Sequence, residues 1–157
     1  MTDQRQYGLA SEEDFRGRSG LDLLQAMIAG ELPAPPISRT LGFLLVEVEK
    51  GRAVFEARTT PDFFNPLGSV HGGVALTLID SACGCAVHTE LGAGIGYTTV
   101  ETKANFVRPV PPQGVIRCEG KVLSRGRQIA TAEAYLRDEA GKLLAHGTST
   151  LIILGAR

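Results

Sequence analysis

Residues 65–88 read NPLGSVHGGVALTLIDSACGCAVH. After Gly73 this stretch is apolar with one exception, the carboxylate of Asp80. Leu76, Leu78, Ile79, Ala82, Cys83, Ala86 and Val87 cover nearly the whole circumference of a helix running from about Val70 to Leu91. A helix apolar all round has to be wrapped on all sides. This requirement constrains the fold more than any other feature of the chain.

The flanking sequence supplies strands to do the wrapping. FLLVEVEK (43–50), Gly51 and RAVFEART (52–59) predict a hairpin, with Ala53, Phe55 and Ala57 on one face. Pro61, Pro66 and Gly68 make 60–69 a loop. After the helix, which Gly92-Ala93-Gly94 should stop, four strands are predicted at about 96–107, 114–124, 127–138 and 142–154. Two carry a face of small residues: Ala130, Ala132 and Ala134, and Ala145, Gly147 and Ser149. Small side chains let another element pack close, and the long helix is the element available. The expectation is an α+β domain, an antiparallel curved sheet wrapped around one long central helix, spanning 39–157. Residues 1–38 form an N-terminal extension. In it 1–19 are polar and expected to be poorly ordered. LDLLQAMIA (21–29) should be a short helix stopped by Gly30, and LPAPPIS (32–38) a connector unable to continue it.

Charge and composition exclude some roles. Sixteen Lys and Arg against seventeen Asp and Glu, no Trp and 6% aromatics give no case for nucleic acid as a partner. No run of 18 apolar residues is unbroken, so no membrane span is expected, and the polar start shows no signal peptide. Three cysteines, two of them in C-x-C spacing on the apolar helix, do not make a disulfide framework and point to a reduced, cytoplasmic setting. His71, His88, His146 and the cysteines lack metal-ligand spacing, so no metal is expected.

Asp80 has two readings. It is either a structural acid satisfied by local donors or a buried acid kept for chemistry. His71-Gly72-Gly73 lies where free backbone N–H groups point outward, and glycine lets a ligand approach them. The same two glycines could instead serve tight packing. Nine residues separate His71 from Asp80, roughly 13 Å along a helix. One chain cannot bring both to one reacting carbon. If both serve one site, two antiparallel helices from two subunits must supply them, which predicts an obligate dimer with two composite sites.

At these residues the chain resembles a known family. Asn65-Pro66-x-Gly68-x-x-His71-Gly72-Gly73 followed by Leu78-x-Asp80 is similar to the signature of hotdog-fold acyl-CoA thioesterases of the phenylacetate-degradation (PaaI-like) group. The likeness runs from about Gly42 to Leu154 and leaves the extension uncovered. It implies hydrolysis of an acyl-CoA, aromatic or of medium or long chain, to a free acid and CoA. No cofactor is implied, since CoA is part of the substrate. Asp80 takes the place of the catalytic acid, as base or nucleophile, and Gly72 that of the glycine whose N–H polarises the thioester carbonyl. Asn65 helps place the nucleophile or water, and His71 orients by hydrogen bonds. Gly73 and Thr99 fall among the substrate contacts, Thr99 where relatives carry a hydroxyl near the acid. The turn Ser124-Arg125-Gly126-Arg127 matches a CoA-contacting turn, with Phe106 and Arg108 near it. Relatives pair the acid and the glycine across a homodimer, commonly in a dimer of dimers. The alternatives are a hotdog hydratase or dehydratase using His71 as base, and a non-catalytic acyl-CoA-binding module.

Overall fold

The computed structural model describes residues 5–156. Six strands form one sheet in the order β1-β2-β4-β5-β6-β3: β1 (Phe43–Glu49), β2 (Arg52–Thr59), β3 (Ile95–Phe106), β4 (Gly114–Arg125), β5 (Ile129–Asp138) and β6 (Leu143–Ala156). All neighbouring strands are antiparallel. The long helix α4 (Gly72–His88) touches all six, which makes this the hotdog arrangement expected above. The hairpin turns at Gly51, whose positive φ of 77° suits glycine.

The small-residue faces do what their size allows. Ala130, Ala132, Ala134 and Ala145 are fully buried beneath α4 together with Leu78, Ile79, Ala82 and Cys83. Two glycines let the backbones approach closely. A Cβ on Gly120 would lie 2.4 Å from the Ala82 carbonyl, and one on Gly147 would lie 2.2 Å from the Lys103 oxygen. Neither position can hold a larger residue without moving the helix or a strand.

The helix is not wrapped on all sides, contrary to the expectation. Leu76 is 37% exposed, and Gly73, Thr77 and Asp80 on the same face are only half-buried. The sheet covers the opposite face and leaves this stripe open. It runs beside β3, which pairs with β6 alone and so presents its other edge unpaired.

The extension is more structured than its composition suggests. Within 1–19, residues 1–4 lie outside the described residues, but Glu12–Gly17 form helix α1. Ser11 caps it by accepting from the Asp14 amide at 3.0 Å. The Ser-x-x-Asp spacing was a start signal that overall polarity obscured. Helix α2 (Gly20–Ala29) begins under a second such cap, Ser19, and ends at Gly30 with φ of 79°. The Pro-rich connector also turns helical. Pro36–Leu41 form α3, because proline, which stops a helix from continuing, is well suited to its first position. The extension is fastened to the C-terminal end of α4. Gly20 N–H donates to Leu91 O at 3.0 Å, and Gly94 N–H donates to Phe15 O at 2.9 Å.

Candidate active site

The loop before α4 is held by Asn65. Its Oδ1 accepts from the amides of Leu67 at 2.9 Å and Ser69 at 3.3 Å, and from the Ser69 hydroxyl at 3.2 Å. The chain then pairs Phe64 with Val70, and His71 N–H donates to Phe63 O at 2.8 Å. This places His71 as the helix N-cap, with Nδ1 accepting from Gly73 N–H at 2.8 Å. A nitrogen that accepts carries no proton, so the neutral ring holds its hydrogen on Nε2. The neighbouring Gly72 amide has no intramolecular partner among the described residues. It is an open donor at the positive end of a 17-residue helix. A cavity of about 280 Å³ adjoins it, lined by Val70, Gly72, Phe106, Arg108 and Val110 among others. A Cβ on Gly72 would meet the Phe106 ring at 3.1 Å, so the ring lies directly over the motif.

Asp80 sits eight residues further on, roughly 12 Å along the axis. Its Oδ1 accepts from the Thr102 hydroxyl at 3.0 Å. The Thr102 oxygen lies 2.9 Å from that of Ser149, its cross-strand partner. Because the single Thr102 hydrogen goes to the carboxylate, Ser149 donates to Thr102. Ser149 is 1% exposed, so this relay is anchored in the core.

Thr99, the hydroxyl expected near the acid, is not the one that reaches it. The β3–β6 register shifts between Thr99 and Glu101. That bulge inserts Val100, and the residues turned inward change from Tyr97 and Thr99 to Thr102 and Ala104. A one-residue insertion reverses the parity of a strand, and no local sequence signal marked it.

Cysteine is not a candidate nucleophile. Burial pushes the thiols of Cys83 and Cys85 up to about 12 and that of Cys118 higher still, so all three stay protonated. Ser124, Arg125, Gly126 and Arg127 lie exposed at the end of β4 and the turn into β5. The turn is closed by Gly126 N–H donating to Ile129 O at 2.8 Å. Neither arginine has an ion-pair partner among the described residues. Phe106 is 59% exposed and stands with Arg108 at the Gly72 end, not at this turn.

Residues 67–145, half of the chain, match the family model described as thioesterase superfamily. The human acyl-coenzyme A thioesterase 13 is 30% identical over 131 residues, covering 81% of this chain and 91% of that one. The chain belongs to the thioesterase superfamily. It is a thioester hydrolase. A 1,4-dihydroxy-2-naphthoyl-CoA hydrolase of Listeria monocytogenes is 26% identical over 117 residues, or 74% of this chain and 94% of that one. Among solved structures, the phenylacetic acid degradation-related protein of Ralstonia eutropha JMP134 superposes with a TM-score of 0.75 at 29% identity, covering 82% of this chain and 98% of that one. The matched segment of this thioesterase contains the Gly72 amide, Asp80, Thr102 and the 124–127 turn, and it excludes the extension. Among the described residues no helix is long and apolar enough to cross a membrane.

Proposed function

We propose that this thioesterase hydrolyses acyl-CoA, with each site built from Asp80 of one subunit and Gly72 of another. The observation that carries the reading is the placement of Asp80. It is the one charged side chain on α4, held by Thr102 on the uncovered stripe beside an unpaired strand edge. A 12-residue open edge is a ready template for strand pairing with a second copy. Pairing β3 with β3 about a two-fold axis would set two α4 helices side by side and antiparallel. Each Gly72 amide would then approach the other chain's Asp80, spanning a gap that one chain cannot.

In such a site the thioester oxygen takes the Gly72 N–H. As the tetrahedral intermediate forms, charge collects on that oxygen, and one preorganised donor is worth about 3–4 kcal/mol. Asp80 either removes a proton from the attacking water or attacks the carbonyl itself, giving a mixed anhydride that water then cleaves. CoA leaves as the thiol in both routes. CoA as the leaving group is supported by the names of two relatives, the human thioesterase and the Listeria hydrolase. It is supported also by the two uncommitted arginines of the 124–127 turn, suited to phosphate oxygens. Asn65 spends its oxygen on its own loop and so acts by shaping the approach to Gly72.

The test is release of free thiol from phenylacetyl-, hydroxybenzoyl-, hexanoyl-, decanoyl- and palmitoyl-CoA. Asp80→Asn should lower kcat by about 10²- to 10⁴-fold without unfolding the chain. Gly72→Pro deletes the amide hydrogen at a position where proline is tolerated. His71 already has the extended backbone, φ −63° and ψ 134°, that proline requires of its predecessor. Mixing the two inactive variants under subunit exchange should restore activity, because one composite site in each heterodimer is intact. Two inactive variants that stay inactive after exchange would place the site within one chain.

A further inference from the structure

A second site lies at the other end of α4. A cavity of about 660 Å³ separates the extension from the thioesterase domain. Its walls are apolar and come from both sides: Leu9, Phe15 and Met27 from the extension, Tyr97 and Leu154 from β3 and β6. The volume falls in the range of ~300–1,000 Å³ typical of small-molecule pockets.

His88 is the polar group in this cavity that has no other task. It is 9% exposed and lines the cavity. Its ring lies between Phe15, with centroids 6.3 Å apart, and Tyr97, at 5.4 Å. Neither ring nitrogen makes a hydrogen bond among the described residues, and neither is a sealed-off polar atom without a partner, so both remain accessible from the open space beside the ring. A neutral imidazole offers a donor at one nitrogen and an acceptor at the other, and a hydroxyl, which both donates and accepts, can pair with either. The rim does not call for a charged ligand. Arg16 and Glu12 pair with each other there at 2.6 Å and cancel.

We propose that this cavity binds an uncharged, mainly apolar molecule bearing one hydroxyl, its ring or chain between Phe15, Met27 and Leu154 and its hydroxyl on His88. The site stands apart from the hydrolytic one, since His88 lies eight residues beyond Asp80, roughly 12 Å along α4. It exists only because the extension supplies one wall, and the extension lies outside the segment matched to the thioesterase family.

The probe is 2-naphthol, titrated into the full chain and followed by its fluorescence, with naphthalene as the control lacking the hydroxyl. Gly96→Leu fills the cavity. A Cβ there meets Phe15 Cζ at 3.8 Å and Leu154 Cδ1 at 3.9 Å, ordinary contacts that leave the backbone in place. We expect saturable binding of 2-naphthol, weakened at least tenfold by Gly96→Leu and by His88→Phe. Naphthalene should bind at least tenfold more weakly than 2-naphthol. The 15N resonances of the His88 ring in the wild-type protein should move as 2-naphthol is added, a reading that does not depend on either variant folding. Absence of saturable binding, binding unchanged in Gly96→Leu, equal affinity for naphthalene, or unmoved His88 resonances would each overturn the proposal.

Discussion

The two ends of α4 each present a histidine and a closely approached glycine, and they use them in opposite ways. At the N-terminal end His71 is exposed and satisfied, its Nδ1 engaged by the Gly73 amide. Gly72 meets only the far edge of the exposed Phe106 ring, and its amide is open. At the C-terminal end His88 is largely buried and makes no side-chain hydrogen bond among the described residues, and the glycine against it comes from elsewhere in the chain. A Cβ on Gly20 would fall 1.9 Å from the His88 carbonyl oxygen. One end is left available for a ligand and a second subunit. The other is covered by the chain's own extension. What separates them is what the rest of the chain lays over each end, since their residue types are alike.

One methyl group added at each end should have unequal consequences. Gly20→Ala pushes into rigid backbone and should cost about 3 kcal/mol or more of stability, or detach α2 from α4. Gly72→Ala faces a ring that can swing into solvent and should change stability by no more than ~1 kcal/mol, helped by the better helix propensity of alanine. Urea denaturation of the two variants measures the difference. Equal losses would show that the N-terminal end is as tightly enclosed as the other.

A smaller effect sharpens the role of the exposed histidine. His71→Ala removes the side-chain acceptor at the helix start, and losing a cap typically costs ~1 kcal/mol. Thiol release should fall more than stability does, because the orientation of the Gly72 amide is lost with the cap. Unchanged turnover would reduce His71 to a surface residue.

The smallest effect comes from titration of the buried histidine. Burial holds the His88 imidazole below its ordinary range when the chain is folded, whereas in the unfolded chain it titrates near ~6.5. As pH falls the unfolded chain therefore binds the proton first. Stability is full above ~6.5 and drains away below it, until the folded-state value is reached. The Tm of the wild type should fall between about pH 7.5 and 5 by more than that of His88→Phe. Parallel curves would mean that His88 can take up a proton in place.

Much of the fold could be read from local pattern. Alternation in three strands, and glycine, proline and polar breaks around the others, marked every strand to within about two residues, and one long apolar run with a single acid marked the central helix. The Asn65 to Asp80 motif also announced itself, since its capping, turn and glycine requirements are satisfied within a few residues of each other. The short helices of the extension carried local signals as well, two Ser-x-x-Asp caps and a proline at a first turn. The first and last of these were outweighed by polarity and by proline's reputation as a helix breaker.

Other features belong to no short segment. Thr102 reaches Asp80, and Thr99 does not, because a bulge in β3 shifts its pairing with β6, about 50 residues away. The open stripe of α4 is open because the sheet ends at β3, a property of strand order that no window of sequence contains. His88 is buried, and faces a cavity, only because residues some 70 positions earlier fold back over it. The elements and the chemistry available to them were legible locally, since backbone preference and apolar periodicity act over a few residues. Which hydroxyl holds the acid, which helix face stays bare and which histidine is covered were decided only by tertiary structure, because burial and close approach depend on what the distant chain brings alongside.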